Sequence, residues 1–425
     1  MSAATTTHAE DLADFVDASP SSYHAAAEVA RRLLDAGFTS LHESDAWPQE
    51  PGRYVVVREG AVIAWVVPTS AGPTTPVRVF GAHSDSPGFK LKPQPTTGHL
   101  GWLQAGVEVY GGPLVNSWLD RELRLAGRLV LEDGTEVLAD SGPLLRLPQL
   151  AIHLDREVNE RLTLDRQVHT QPVWGVGAAE SADLIAELAD RVGVDAARVR
   201  GYDLVTADSA RGAVFGRDDV FFAAGRLDDL ASAHAGTVAL AEVGDDLGAD
   251  HIPMLAVFDH EEVGSASRTG AGGPFLEEVL ERIGIALGAD RGDRLRALAS
   301  SWCLSSDVGH SVHPNYPGRH DPHVRPVLGC GPILKLNANQ RYASDGVGAA
   351  AWRGWCEASG VHSQDFVSNN TVPCGSTIGP ITATRLGIRT VDVGIPILSM
   401  HSARELAGTS DLLDLARVAR TYFAG

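Results

Sequence analysis

The chain has 425 residues, 44% of them hydrophobic, which is long enough for two domains with sizeable cores and is not typical of a disordered protein. Its 35 basic and 54 acidic residues leave a formal net charge of −19, and that charge disfavours nucleic acid and anionic membranes as partners. The four cysteines are widely spaced and form no C-x-x-C pair, which argues against thiolate zinc sites and dense disulfide frameworks.

The N-terminus has neither the basic region nor the apolar region of a signal peptide. No apolar stretch approaches the ~18 residues that a membrane-spanning helix needs. We therefore expect a cytoplasmic protein.

The first 90 residues have the pattern of an α/β fold. Ser19, Ser21 and Ser22 offer capping side chains before a helical run of apolar residues that Gly37 ends. Apolar runs then predict strands at 54–57, 62–67 and 77–80.

Hairpin signals replace this pattern after about residue 91, the clearest being Asp133 and Gly134 between alternating apolar residues. Strands and turns continue to about residue 222, with one helix near 181–192. The α/β pattern then returns, with helices at 227–240 and 275–287, strands at 254–258, 301–304 and 390–393, and a last helix capped by Thr409, Ser410 and Asp411. We predict an α/β domain (1–90 and 223–425) interrupted by a β-rich insertion (91–222).

Ionisable residues follow several predicted strands, and strand ends are where open α/β sheets place their ligands. His83 and Asp85 come first, and extended backbone would put them on the same side, so that the carboxylate can hold the imidazole while it binds a metal. An H-x-D triplet by itself is more often structural.

Glu261 and Glu262 follow the strand at 254–258. They form a solvated turn in most settings, but at a dinuclear metal site one glutamate can bind metal while its neighbour takes a proton from water. Asp228 and Asp229 open the helix at 227–240, where they either cap it or supply a carboxylate that bridges two metals.

Asp307 and His401 complete the set, each beyond a predicted strand. Together these residues offer imidazole and carboxylate ligands without thiolate, which suits zinc, cobalt or manganese at an open catalytic site. We assign the other notable histidines either structural roles (His310 and His313) or solvated positions (His8, His42 and His320).

Seven segments carry a resemblance to a known family. In chain order they are GAHSDSPGFKLKP, GRLDDL, DHEEVGS, SSDVGHSVHPNY, LKLNANQRYASDG, CGSTIGPI and SMHSARE. The series resembles the motifs of the aspartyl aminopeptidases, which are dinuclear zinc exopeptidases. VEVYGGPL, LDRELRLAGRL and PQLAIHLDRE resemble that family's β-rich insertion.

The resemblance implies a zinc-exopeptidase-like α/β/α catalytic domain interrupted by a dimerisation insertion. It implies a metallo-aminopeptidase that removes N-terminal Asp, then Glu, with a metal-activated water and Glu261 as general base, while Asp85 orients His83. The cofactor is two divalent ions per subunit, zinc first and cobalt or manganese as alternatives. The implied ligands are Asp228 as the bridge, His83 and Asp307 on one ion, and Glu262 and His401 on the other.

The family pattern also implies the substrate contacts. Lys335 would bind the side-chain carboxylate of the N-terminal residue, and Tyr342 would supply a hydroxyl beside it. His153 matches a histidine that the family projects into the active site of a neighbouring subunit. The resemblance therefore implies that the chain self-associates into dimers or tetrahedral dodecamers. The sequence itself supports only a homo-oligomer.

Three alternatives remain open. A related dinuclear enzyme could prefer neutral N-terminal residues or act on acylated amino acids. A metal-binding scaffold without catalysis would not need Glu261. A nucleic-acid-binding module is disfavoured by the charge of −19 and by the lack of a basic stripe.

Overall fold

The computed structural model describes residues 3–244 and 250–425. Its α-helices, in chain order, are α1 Ala3–Asp17, α2 Ser22–Asp35, α3 Leu184–Arg191, α4 Leu227–Ala241, α5 Phe275–Ala286, α6 Arg291–Ser300, α7 Gly346–Ala358, α8 Ile378–Leu386 and α9 Thr409–Ala424. None of these helices is long and apolar enough to cross a membrane.

Three sheets contain the strands of the described ranges. The strands are β1 Thr39–Leu41, β2 Gly52–Arg58, β3 Ala61–Val67, β4 Val77–His83, β5 Gly88–His99, β6 Trp102–Tyr110, β7 Glu122–Leu131, β8 Glu136–Arg146, β9 Val173–Val176, β10 Val199–Asp208, β11 Ala213–Phe215, β12 Phe221–Ala224, β13 Ile252–Phe258, β14 Trp302–Ser306, β15 Gly309–His310, β16 Ile333–Lys335, β17 Gln364–Phe366, β18 Arg389–Gly394, β19 Pro396–Leu398 and β20 Glu405–Gly408.

The largest sheet has nine strands in the order β1-β2-β3-β13-β4-β14-β18-β16-β17. Its four central strands, β13, β4, β14 and β18, are all parallel. Their carboxyl ends therefore lie along one edge, and the loops after them meet there. The predicted metal ligands His83, Glu262 and Asp307 lie at or beyond three of these ends, and His401 follows β19, the strand after β18 in the chain.

Helices cover both faces of this sheet and form two separate apolar cores. One core joins the sheet to α1, α2, α4, α7 and α9, and includes Phe80, Leu230 and Trp352. The other joins the opposite face to α5 and α8 through Phe275 and Ile378. The fold is thus the predicted α/β/α arrangement.

A closed six-stranded barrel lies in the chain between β4 and the rest of the large sheet. Its strand order is β10-β5-β6-β9-β8-β7, and β7 pairs with β10 to close it. The interior is filled by side chains such as Phe89, Leu125 and Leu204, and Leu184 and Leu188 of α3 belong to the same core. The predicted hairpin at 129–138 is β7–β8, paired from Val130 and Glu136 onward.

A third sheet links the two parts of the chain. Its order is β11-β12-β20-β19-β15, and it places β12, which leads into α4, beside β20. Because Asp228 follows β12 and Glu405 begins β20, this pairing brings both carboxylates to the same edge as the central strand ends.

Most predicted elements are present, with bounds shifted by a few residues. Ser21 caps α2 through the backbone N–H of His24, and Gly37 follows the helix with φ +89°. The sequence pattern did not identify α1, α6, α7 or α8, because alanine, glycine and threonine give these helices little contrast between an apolar and a polar face.

The predicted cap of the last helix is wrong. Gly408 occupies the N-cap position of α9 and no side chain caps the helix. The buried Asp411 carboxylate instead accepts hydrogen bonds from the backbone N–H groups of Gly329 and Gly331, at 2.6 and 2.8 Å. It therefore holds the loop that leads into β16.

Candidate metal centre

His83 is the last residue of β4 and is buried at the centre of the site. Its Nε2 lies 3.1 Å from Oδ1 of Asp228 and 3.9 Å from Oδ1 of Asp307. Its Nδ1 lies 3.0 Å from the backbone carbonyl of Asp85 and 3.5 Å from that residue's carboxylate. These contacts orient the ring so that Nε2 faces the two ligand carboxylates.

Asp228 lies between the two predicted ligand sets. It precedes the regular part of α4, with non-helical backbone angles, and neither it nor Asp229 caps the helix. One carboxylate oxygen faces Nε2 of His83, and the other lies 3.4 Å from Nε2 of His401. Two imidazoles therefore approach different oxygens of one carboxylate, so Asp228 lies between His83 and His401.

Glu405 fixes this part of the site. Its two carboxylate oxygens accept hydrogen bonds from the backbone N–H groups of Asp228, at 3.0 Å, and of His401, at 2.7 Å. His401 also places its Nε2 3.5 Å from Oε2 of Glu262, while its Nδ1 is 3.0 Å from the carbonyl of Gly112. The histidine thus faces Asp228 and Glu262 together.

Asp85 organises the turn that carries the adjacent glutamates. Its carboxylate accepts hydrogen bonds from the backbone N–H of Glu261 at 2.9 Å and of Glu262 at 3.2 Å, and from the hydroxyl of Tyr110 at 2.8 Å. The side chains of the two glutamates are thereby free for different tasks. The Glu262 carboxylate faces His401, and the Glu261 carboxylate lines the cavity beside it without an ion pair to any described residue.

Asp307 follows β14 and is held from the opposite side by Lys335 of β16. Nζ of Lys335 lies 3.4 Å from Oδ2 of Asp307 and donates to the carbonyl of Val308 at 2.8 Å. Lys335 is only 1% exposed, and its Nζ lies 5.5 Å from the centre of the Tyr342 ring. Lysine and tyrosine therefore form one wall of the site.

Mutual repulsion of carboxylates and burial dominate the electrostatics. Burial and the charges of Asp307 and Asp228 raise the pKa of Glu261 to about 7, and burial with Asp228 raises that of Glu262 well above its ordinary value. Although burial opposes it, hydrogen bonding to Asp228 and the charge of Glu262 raise the pKa of His401 to about 10. The cluster has an excess of negative charge that bound cations would offset.

The residues present fit a metal. Oδ1 of Asp229 and Oε1 of Glu262 are buried without a hydrogen-bond partner in the described part of the chain, which is costly unless a cation supplies one. Oδ1 of Asp228 lies 3.1 Å from Nε2 of His83 but makes no well-oriented hydrogen bond to it or to another described residue. Ligand atoms of His83, Asp228 and Glu262 lie within 4.8 Å of one another, as do those of His83, Asp229 and Asp307. Imidazole and carboxylate donors without thiolate suit zinc at an open site.

A cavity of about 590 Å³ opens over this cluster. Lys335 and Tyr342 line one side, and His310, Arg319 and His320 line another. His153 is exposed and is not among the lining residues, so within one chain the structure does not bring it to the site.

The expectation that His8 and His320 are solvated is wrong, whereas His42 is exposed as expected. His8 is buried among the helices against His234. His320 is partly buried in the cavity wall, where its Nε2 accepts a hydrogen bond from the backbone N–H of His313. Both are fixed by contacts with residues that lie elsewhere in the sequence.

Three residues of the site, Glu405, Tyr110 and Arg319, were not predicted from the sequence. Glu405 stands in the SMHSARE motif, so its neighbourhood was visible in the sequence, but its role depends on the pairing of β12 with β20. Tyr110 lies in the barrel and reaches Asp85 across the fold. No local pattern indicates that contact.

The sequence profile of a family described as Aminopeptidase I zinc metalloprotease (M18) matches residues 15–423. A probable M18 family aminopeptidase 2 from Streptomyces coelicolor is 55% identical over 409 residues, which cover 95% of this chain and 94% of that protein. A protein with the same description from Mycobacterium tuberculosis is 46% identical over 414 residues, 95% of each chain.

Solved structures agree with this similarity. The cryo-EM structure of an Ape4 and Nbr1 complex contains a chain of 33% identity that superposes with a TM-score of 0.95, covering 99% of this chain and 86% of that one. The S. cerevisiae mApe1 dodecamer matches at 29% identity and a TM-score of 0.86, covering 98% and 96%. An M18 aminopeptidase from Thermotoga maritima, at 23% identity, has the same fold with a TM-score of 0.88 over 100% of this chain and 97% of its own.

Proposed function

The chain belongs to the M18 family of zinc-dependent aminopeptidases, and on that basis we propose that it removes N-terminal aspartate, and after it glutamate, from peptides with a free N-terminus. One observation carries the proposal. The two oxygens of Asp228 face two different histidines, and each histidine faces a further carboxylate, Asp307 or Glu262.

The proposed ligand sets follow these contacts. Asp228 would contribute to holding both divalent ions, His83 and Asp307 would hold one, and Glu262 and His401 would hold the other. The oxygens of Asp228 and Glu262 that make no hydrogen bond to a described residue support this assignment. Zinc is the proposed ion in both positions, with cobalt or manganese as alternatives.

When bound, a metal pair polarises the scissile carbonyl and lowers the pKa of a water molecule. The remaining work belongs to side chains of this chain. Glu261 takes the proton from the attacking water and delivers it to the departing amine, since its carboxylate lines the cavity and is not engaged by a described residue. Asp85 keeps Glu261 in place through the backbone N–H of the turn, and also orients His83.

Lys335 is the proposed determinant of acidic specificity. The floor of the cavity carries Asp228, Glu261, Glu262 and Asp307, so an acidic substrate side chain needs a fixed cation beside it. Nζ of Lys335 contacts the carboxylate of Asp307 and the carbonyl of Val308. Because an ammonium has three N–H donors, one donor remains for the substrate. The hydroxyl of Tyr342 would be the second contact.

We propose that the barrel region, within residues 91–222, pairs subunits, and that His153 acts in the site of a neighbour. The segment around His153 exposes Leu150, Ile152 and Leu154, at 56, 45 and 75% of their surface. A cluster of exposed apolar side chains on an irregular connection suits burial against a second copy. The solved dodecamer is of a related protein, and a dimer or dodecamer is the proposed assembly here. The cytoplasmic location stays a prediction.

A kinetic panel tests the proposal against its rivals. Peptides with N-terminal Asp, Glu or Leu and an acetyl-capped substrate are compared before chelation, after it, and after re-addition of zinc, cobalt or manganese. Acidic preference that chelation abolishes and metal restores is the expected result. Preference for Leu would establish a neutral aminopeptidase, cleavage of the capped substrate an amidohydrolase, and metal binding without turnover a scaffold.

A further inference from the structure

The mouth of the cavity carries a cation that the proposed chemistry does not use. Arg319 lies in the short turn Pro317–Arg319, is exposed, and lines the cavity together with His320. Within the described ranges its guanidinium has no ion pair, hydrogen bond or aromatic partner. Arg325, in the same loop, instead donates to the carbonyl of Pro322.

Hydrogen bonds hold the turn that presents Arg319 on both sides of the arginine. The side-chain amide of Asn369, itself in the cavity wall, donates to the carbonyls of Gly318 at 3.4 Å and of His320 at 3.0 Å, on either side of the arginine. His320 accepts from His313 at 3.0 Å. An arginine whose backbone is fixed loses less freedom on binding a ligand than one on a mobile loop.

Among the described residues that line the cavity, Arg319 is the cationic side chain outside the metal centre that has no partner. Lys335 is buried and engaged with Asp307. Burial and the charge of Lys335 lower the pKa of His310, and burial and the charge of His313 lower that of His320, so the surroundings disfavour the charged form of both rings. Among the described lining residues, this leaves Arg319 to offset the four carboxylates for any part of the substrate near the mouth.

We infer that Arg319 is a specificity-determining residue that binds a carboxylate on the leaving side of the scissile bond. The inference rests on the proposed function: if the N-terminal residue lies between the metal centre and Lys335, the rest of the peptide extends toward the cavity mouth. The carboxylate has two possible sources, the side chain of an acidic second residue or the free C-terminus of a dipeptide. A guanidinium suits both, since it can donate two parallel hydrogen bonds to a carboxylate.

Six substrates test this inference, with N-terminal Asp or Leu followed by alanine amide, alanine free acid or glutamate amide. The wild type should show a KM about threefold lower for the two carboxylate-bearing leaving residues than for the neutral amide, as expected for an exposed charge pair. That ratio should shrink as salt is added. Arg319→Gln should abolish it, whereas Arg325→Gln, from the same loop but outside the cavity lining, should keep it.

The outcomes separate the two proposals. If the KM is lowered only for the alanine free acid, the C-terminus is the ligand of Arg319. If it is lowered only for the glutamate amide, the ligand is the acidic side chain. An equal KM ratio in wild type and Arg319→Gln overturns the inference even if Asp is preferred over Leu. Preference for Leu with an intact ratio overturns acidic specificity alone, and a protein that cleaves none of the six contradicts both.

Discussion

At the scale of single residues, neighbouring glutamates in one turn have different surroundings. Asp85 holds the backbone of both, yet the Glu262 carboxylate faces His401 whereas Glu261 faces the open cavity. The same local sequence thus provides a proposed metal ligand and a proposed general base. Substitution of Glu261 and of Glu262 should therefore separate catalysis from metal binding.

Glu261→Gln should retain both metals, and its kcat should be lower than that of the wild type by a factor of about 10²–10⁴, because general-base catalysis contributes a factor of that size to the rate. Elemental analysis and steady-state kinetics measure the two quantities. Glu262→Gln is the matched control from the same turn and should lower the metal content. Turnover of Glu261→Gln at the wild-type rate, or loss of both its metals, would refute the assignment.

Lys335 connects metal site and substrate pocket, so its substitution needs two measurements. Lys335→Met should reduce the rate preference for N-terminal Asp over Leu about tenfold or more, since a buried hydrogen bond to a charged group is worth roughly 1.5–3 kcal/mol. The metal content is measured in parallel, because Nζ also contacts Asp307. Lys92→Met, in the barrel, is the control. An unchanged preference at full metal content would show that Lys335 only supports Asp307.

At the scale of elements, α1 packs against α4 through a buried polar cluster. His8 of α1 stacks on His234 of α4 with ring centres 4.9 Å apart, and Nε2 of His234 lies 2.7 Å from Oδ2 of Asp11. Asp11 also pairs with Arg32 of α2 at 2.8 Å. These contacts join three helices beneath the large sheet.

The cluster predicts a pH dependence of stability. Burial, then the charge of His234, lowers the pKa of His8 from 6.5 to about 3, so the folded protein holds this ring neutral. The contribution of the neutral His8 ring to the free energy of unfolding is complete above pH 6.5. It is lost as the pH falls toward 3, by up to about 1.4 kcal/mol per pH unit. The free energy of unfolding of His8→Gln should therefore decrease less than that of the wild type between pH 6.5 and 4.5.

Urea unfolding at a series of pH values measures the effect. His42→Gln removes an exposed histidine and should follow the wild type. The groups of the metal centre also titrate in this range, but they are common to all three proteins, so the difference between the curves reports His8. Parallel curves for His8→Gln and wild type would contradict a neutral buried ring.

At the scale of the whole molecule, one chain places His153 away from its own cavity, so the proposed trans contribution is testable by mixing subunits. Glu261→Gln and His153→Ala should each be nearly inactive alone. Co-expressed in equal amounts, they should recover about a quarter of wild-type activity, because half of randomly formed symmetric dimers are mixed and each has one complete site.

A matched control uses His99, an exposed histidine of the barrel. His99→Ala should be active alone, which shows that substitution in this region does not itself disrupt the enzyme. Activity of the co-expressed pair no higher than the sum of the two variants would contradict a role for His153 in the neighbouring site. Full activity of His153→Ala alone would contradict it as well.

The pattern of the sequence by itself determined the α/β elements, and the resemblance of its motifs to a known family implied the α/β/α layering and the proposed metal ligands. Apolar runs that end at or shortly before His83, Glu262 and Asp307 already indicated a common location, because the carboxyl ends of parallel strands share one edge of the sheet. The Asp133–Gly134 hairpin was likewise a local signal. Such features depend on patterns within a few residues of each other.

Only the tertiary structure decided which polar group each side chain meets. Lys335 engages Asp307, Asp411 holds a loop instead of capping α9, His8 is buried, and Arg319 has no partner among the residues that the structure describes. Each outcome depends on contacts between segments far apart in the chain or on burial by several elements at once. The free energy of a charged group is set by those surroundings and not by its sequence neighbours.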